Sequence, residues 1–298
     1  MHSRAILMGS DPAPVLRIER SRSPLDDVPL DALFAVARRD NPNRAPLLVS
    51  KVLGKHLDVS PTTAIVAGAA LGELVSVALG GQREQPSVEQ LAMALRSGQA
   101  PSAPVRASLS GPAAVVLSFA ETATAIGHLV RRVLGPGPMA HTTRALPVDG
   151  ALVTFSEEHS HAVQHRLFHD DPSVFGEATP VILVDDELTT GRTAMNAIAA
   201  IQRVAPRRNY VIAAYLDLRG PTERDRLAEF ARRHGLTVDV VSLVSGTASE
   251  VDPDGTSAAC AAVADPAPAG RGAARTVEVH LGARPTARWR SSSSFPRR

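Results

Sequence analysis

The chain has 298 residues, 44% of them hydrophobic, a formal net charge of +2 and one cysteine, Cys260. That is apolar material for one large α/β domain or two small ones, and a single thiol excludes an intramolecular disulfide and an all-cysteine metal site. The charge is uneven: residues 1–24 carry four Arg against Asp11 and Glu19, and residues 251–298 carry seven Arg against four acidic residues, which leaves −3 on residues 25–250 and excludes a protein that reads nucleic-acid grooves with its body.

Residues 1–24 mix Pro, Arg and Ser without a period and read as a disordered basic tail. No secretory signal opens the chain and no apolar run reaches membrane-spanning length, so a cytoplasmic protein without membrane contact is expected. Residues 25–250 then alternate apolar runs with helical patterns, the order of a mostly parallel sheet flanked by helices. Strands are expected at Pro46–Leu53, Ala113–Phe119, Ala151–Phe155, Val181–Val184, Tyr210–Leu216 and Thr237–Val244. Between them, Ser60-Pro61 caps a long apolar helix, and Thr122–Leu134 and Thr193–Val204 each place apolar residues on one face. Pro221 opens and Gly235 closes a charged helix. Residues 251–298 read as a low-complexity, mostly disordered basic tail in which only Thr276–Leu281 alternates like a strand.

The chemistry concentrates at the end of one strand. Val181–Val184 delivers Asp185 and Asp186 to the carboxyl end of the sheet, where open α/β folds bind ligands. Thr189, Thr190, Gly191, Arg192 and Thr193 then turn into a helix whose first amides lack intrahelical partners, a ready site for a phosphate. Carboxylates a short turn away can accept hydrogen bonds from two ribose hydroxyls. An apolar strand ending Asp-Asp-Glu also fits a P-loop ATPase or a receiver domain, but Gly54-Lys55 is followed by His56 rather than a hydroxyl residue, and no lysine follows Lys55.

The segment Val181–Thr193 resembles the binding motif for phosphoribosyl pyrophosphate (PRPP) of type I phosphoribosyltransferases. That resemblance implies an α/β, Rossmann-like sheet with a small hood and a flexible hairpin. It implies that Asp185 and Asp186 contact the ribose hydroxyls, and that Thr189 to Thr193 wrap the 5-phosphate. Mg²⁺ is expected through PRPP, with Asp185 and Asp186 as further ligands. It also calls for a pyrophosphate loop, for which Ala120, Glu121, Thr122, Ala123 and Thr124 are the candidates; taken alone they are as well explained by an ordinary N-capped helix.

With Asn41–Arg44, Leu48–His56, Met139–Arg144 and Phe155–His169, the chain resembles more narrowly the phosphoribosyltransferase domain of bacterial tellurite-resistance and stress-response clusters. Arg144 and Arg192 are expected as further phosphate contacts from their places in these motifs. Lys51 and Lys55, the only lysines of the chain, stand either for polyphosphate ligands or for an accident of composition on a solvated surface.

The run from His159 to His169 leaves three readings open: a metal site in which His161, His165 and His169 share a helix face and Glu157 or Glu158 completes the set, a histidine-rich lid, or a polar surface hairpin. Thr189 stands where purine-salvage relatives carry an acidic residue, which disfavours a purine acceptor; Glu187 stands where an apolar residue is common. The expected partners are PRPP and an unidentified nitrogen acceptor bound by residues 25–60 and 139–170, with a possible homodimer. The alternative is a non-catalytic regulator that binds PRPP or a nucleotide.

Overall fold

Four-residue runs such as Val115–Ser118 and Val181–Val184 present side chains to both faces of a sheet, so both faces need cover. In the computed structural model these runs are central strands of a ten-stranded sheet. The structure describes residues 4–8, 14–21, 23–37, 47–101, 105–109, 113–144, 150–156, 164–169, 171–175 and 179–250.

In chain order, β1 (Arg4–Met8) and β2 (Pro14–Ser21) precede α1 (Leu30–Leu33) and a separate antiparallel pair, β3 (Phe34–Ala37) with β4 (Leu47–Ser50). Helices α2 (Pro61–Ala78) and α3 (Ser87–Ser97) follow, then β5 (Val115–Ser118), α4 (Thr124–Leu134) and β6 (Met139–Thr143). A hairpin, β7 (Val153–Ser156) and β8 (Gln164–Leu167), leads to β9 (Val181–Val184) and the two-residue β10 (Glu187–Leu188). The described part closes with α5 (Arg192–Val204), β11 (Asn209–Asp217), α6 (Pro221–His234) and β12 (Thr237–Glu250).

Five strands form the parallel centre, in the spatial order β6-β5-β9-β11-β12. Ranked by chain position that order is 2-1-3-4-5, so the direction of winding reverses between β5 and β9. A crevice for ligand opens at such a reversal, at the carboxyl ends of the strands. The margins are antiparallel: β8 and β7 lie beyond β6, and β2 and β1 beyond β12. Apolar residues of α2 and α4 cover one face, and those of α5 with Leu227 of α6 cover the other.

Helix ends follow local chemistry. Pro61 and Pro221 occupy first turns, where the missing N–H costs nothing. Gly235, at φ 63°, ends α6 while Leu236 N–H donates to Ala231 O at 2.9 Å. Inside α2, Gly68 and Gly72 have a packing reason: a Cβ on Gly68 would lie 2.5 Å from Leu129 Cβ, and one on Gly72 2.8 Å from Val133 Cβ. The two helices touch where these side chains are missing.

Three expectations change. Residues 1–24 are not wholly a disordered tail, since Arg4–Met8 and Pro14–Ser21 are strands and Ser21 to Leu16 pair with Ser245–Glu250. The charges of Arg17, Glu19 and Arg20 hid the pattern; Ile18 is fully buried, and Arg20 Nη1 donates to Val28 O at 2.5 Å. Pro46–Leu53 supplies only Leu47–Ser50, in the two-stranded sheet rather than the main one. Residues 61–78 do form one helix long and apolar enough to cross a membrane, but more than half of it is buried against α3, α4 and the sheet, as in a core helix. The expected tail 251–298 with its Thr276–Leu281 run, the Asn41–Arg44 stretch, and His159 and His161 lie outside the described residues.

The α2–α4 contact predicts that Gly68→Ala destabilises the protein despite the better helix propensity of alanine, worth about 1 kcal/mol. Overpacking costs about 1–3 kcal/mol. The net loss is up to about 2 kcal/mol, so a thermal melt is expected to show Tm lower by up to about 8 °C; a Tm raised by the full helix-propensity gain would mean that the helices do not meet at Gly68.

Candidate functional site

β5 and β9 end flush, with Ser118 opposite Val184, so the two following loops emerge side by side. Phe119 N–H donates to Val184 O at 3.0 Å, and Asp185 N–H to Ala213 O at 2.9 Å. Between the loops and the β3–β4 pair lies a cavity of about 460 Å³. Its wall includes Asp185, Asp186, Thr189, Thr190, Gly191 and Thr193 from one loop, and Ala120 and Thr122 from the other.

The acidic pair is built into the end of the sheet. Asp186 N–H donates to Asp185 Oδ1 at 2.9 Å, while Tyr215 N–H donates to Asp186 O at 3.1 Å. Burial pushes the Asp185 carboxyl well above the ordinary aspartate range, and the neighbouring Asp186 carboxylate adds to the shift. Burial, with a further contribution from Asp186, likewise raises the Tyr215 phenol. Lys55 reaches over from the loop after β4 and places Nζ 3.5 Å from Asp186 Oδ2.

Beyond the pair, the chain runs along β11 as β10 and turns at Gly191, whose φ of 73° admits glycine at low cost. Gly191 caps α5, whose first amides lack intrahelical partners, and Gly191, Thr193 and Ala194 at this helix start line the cavity. Thr190 Oγ1 accepts from Arg192 N–H at 3.3 Å. Helix-start amides and their partial positive charge favour a phosphate there.

The second loop has a different construction. Its Ala120–Glu121 peptide is cis. Ala120 N–H donates to Thr142 Oγ1 at 2.8 Å, and that hydroxyl also pairs with His165 Nδ1 at 2.9 Å. His165 is buried and stacks on Phe155 with ring centroids 5.0 Å apart. Arg144, at the end of β6, lines the cavity and pairs with Glu121 at 3.1 Å.

The structure therefore gathers most, but not all, of the candidates. Glu121, Ala123, Thr124 and Arg192 belong to the two loops without lining the cavity, and Lys51 is exposed outside it. The helical histidine face does not form: His165 sits in strand β8 with its ring in the core, and His169 Nδ1 accepts from Asp171 N–H at 3.0 Å. The antiparallel pairing of β8 with β6 and β7 overrides the i, i+4 spacing. Among the described residues no three His, Cys, Asp or Glu side chains gather as a metal-ligand set.

Leu47, Leu48, His56, Phe119 and His165 also line the cavity. The first three fall within residues 25–60, the region expected to bind the acceptor, but none of them stood as a site candidate of its own.

A family model described as phosphoribosyl transferase matches residues 33–247. Similar solved structures include adenine phosphoribosyltransferase from Giardia lamblia complexed with 9-deazaadenine, at 18% identity over 74% of this chain and 98% of that one, with a TM-score of 0.43. The enzyme of the same name from Leishmania donovani has 14% identity over 72% and 78% of the two chains, with a TM-score of 0.43. A hypoxanthine phosphoribosyltransferase from Staphylococcus aureus has 12% identity over 53% and 66%, with a TM-score of 0.31. No curated protein matches the sequence.

The Asp185 shift has a sign that can be measured. A carboxyl whose folded pKa is raised favours folding below its unfolded value of about 4, and that contribution is lost as pH rises through the folded value. Asp185→Asn is therefore expected to raise Tm of the ligand-free protein at neutral pH. The gap over the native protein should widen from about pH 4 upward; a gap that stays flat or reverses would refute a strained Asp185.

Proposed function

The chain belongs to the phosphoribosyl transferase family, and from that premise we propose that this phosphoribosyltransferase uses Mg²⁺-bound PRPP to place ribose 5-phosphate on a nitrogen acceptor, or runs the same exchange in reverse. The observation that carries the proposal is the convergence of Asp185-Asp186 and the Gly191 helix start on one cavity at the winding reversal. In this reading the 5-phosphate takes the amides and hydroxyls of Thr189–Thr193, and the ribose hydroxyls donate to Asp185 and Asp186. The pyrophosphate lies toward Ala120, Thr122 and Arg144.

The proposed reaction breaks the bond from the anomeric carbon to the pyrophosphate oxygen and forms one to the acceptor nitrogen, which gives up a proton. No covalent enzyme nucleophile is needed. Positive charge developing on the ribose ring meets the acidic pair, while the leaving pyrophosphate meets Arg144 and the Lys55 ammonium once it exchanges Asp186 for the substrate. Because Mg²⁺ binds through one or two carboxylates and substrate phosphates, Asp185 and Asp186 fit it as partial ligands, and when bound it neutralises the leaving group.

The acceptor end falls to the hood side, where Leu47, Leu48 and Phe119 offer apolar walls and His56 a polar one. Thr189 in place of an acidic residue favours an acceptor other than a purine with a base at that position. The stretches at 48–56 and 139–144 support placement within nucleotide-like metabolite biosynthesis or stress response of the tellurite-resistance type, in the cytoplasm.

Titration calorimetry with PRPP and Mg²⁺ tests the core of this reading. The native protein is expected to bind, and the double variant Asp185→Asn, Asp186→Asn to bind at least about tenfold more weakly, a loss of about 1.4 kcal/mol. Equal affinities would contradict the ribose assignment, and no binding to the native protein would overturn the proposal. Pyrophosphate release across a panel of nucleobases and amines then identifies the acceptor; tight binding with no release for any of them would favour a regulator.

A further inference from the structure

A phosphate loop that turns on a glycine has a soft backbone, so something outside it must fix its shape. Here the segment is held from the far side by the end of β11. Glu187 pairs with Leu216 and Leu188 with Asp217, and Leu218 N–H donates to Leu188 O at 2.8 Å. Two residues on, Arg219 turns back on Asp217: its Nε donates to Oδ1 at 2.8 Å and an Nη2 hydrogen to Oδ2 at 2.9 Å, while its backbone N–H donates to Oδ1 at 3.1 Å. Both side chains are nearly excluded from solvent, at 5% and 6% exposure. Arg224 Nε fastens the same turn from α6 by donating to Arg219 O at 2.8 Å.

This fork fixes more than a charge. With the guanidinium pinned, the aliphatic stem of Arg219 lies against Gly191, and a Cβ placed on that glycine would stand 3.2 Å from Arg219 Cδ. Neither Asp217 nor Arg219 lines the cavity that holds the acidic pair. A buried ion pair is a poor stabiliser compared with apolar packing of the same volume. Its position directly behind the Gly191 turn gives it another use.

We propose that Asp217 and Arg219 are positioning residues for the Thr189–Thr193 loop: the carboxylate locks the guanidinium, and the locked stem is the backstop that holds Gly191 in its turn. This rests on reading that loop as the 5-phosphate cradle. The pair acts on the phosphate end of the site and leaves the pyrophosphate loop, at β5, untouched.

The test compares two ligands that probe opposite ends of the cavity, ribose 5-phosphate and Mg²⁺-pyrophosphate, by calorimetry. In the double variant Asp217→Asn, Arg219→Ala, which leaves no lone buried charge, ribose 5-phosphate affinity is expected to fall about tenfold with pyrophosphate affinity within about twofold. Arg219→Lys, which keeps the stem and the charge but not the fork, is expected to lie between the two. If the double variant does not fold, Arg219→Lys alone decides: selective weakening of ribose 5-phosphate supports the proposal. Equal loss of both ligands, or no loss of either, overturns it while native binding leaves the cradle reading intact. A native protein that binds Mg²⁺-pyrophosphate but not ribose 5-phosphate would overturn the cradle reading and this proposal with it.

Discussion

Parallel pairing of β5 with β9 is the constraint from which the rest of the site follows. Val115 to Ser118 pair in register with Val181 to Val184, so the two strands end on one line. Chains leaving that line must diverge, because β6 lies beyond β5 on one side and β11 beyond β9 on the other. The gap between the departing loops is the cavity. A register shift of one residue would reverse the faces that the β9 side chains present and move Asp185 and Asp186 off this line.

The acidic pair sits in this gap against the preference of its charges for water. Two adjacent carboxyls share a partly desolvated corner, and one of them is held against its ordinary ionisation. Lys55 supplies one counter-charge from the hood, 131 residues away in sequence. The backbone around the pair is correspondingly well tied, with Asp185 N–H and Asp186 O both bonded into β11. The acidic pair is thus set in a rigid frame, which suits the ribose contact proposed for it.

Much of this was legible in the sequence because it is local. Val181–Val184, the Asp-Asp pair and the Thr-Thr-Gly-Arg-Thr turn lie within thirteen residues, and each part has a physical reason that one segment can express. Prolines 61 and 221 and Gly235 marked helix ends correctly for the same reason. What failed was non-local. β2 carries too many charges to look like a strand until β12 pairs with it, and β8 is a strand because it pairs with β7 and with the end of β6. His165 kept helical spacing with its neighbours, yet a strand partner turned it inward onto Phe155. The backing of Gly191 by Arg219 joins residues that no periodicity links.

The most direct measurement of the central claim is a crystal structure of the protein with ribose 5-phosphate. The account predicts phosphate oxygens within hydrogen-bond distance of the backbone amides from Gly191 to Ala194, and the ribose hydroxyls on Asp185 and Asp186 in place of Lys55. A phosphate seated on the Ala120–Thr124 loop, or anywhere else, with the Lys55–Asp186 pair still closed, would contradict it.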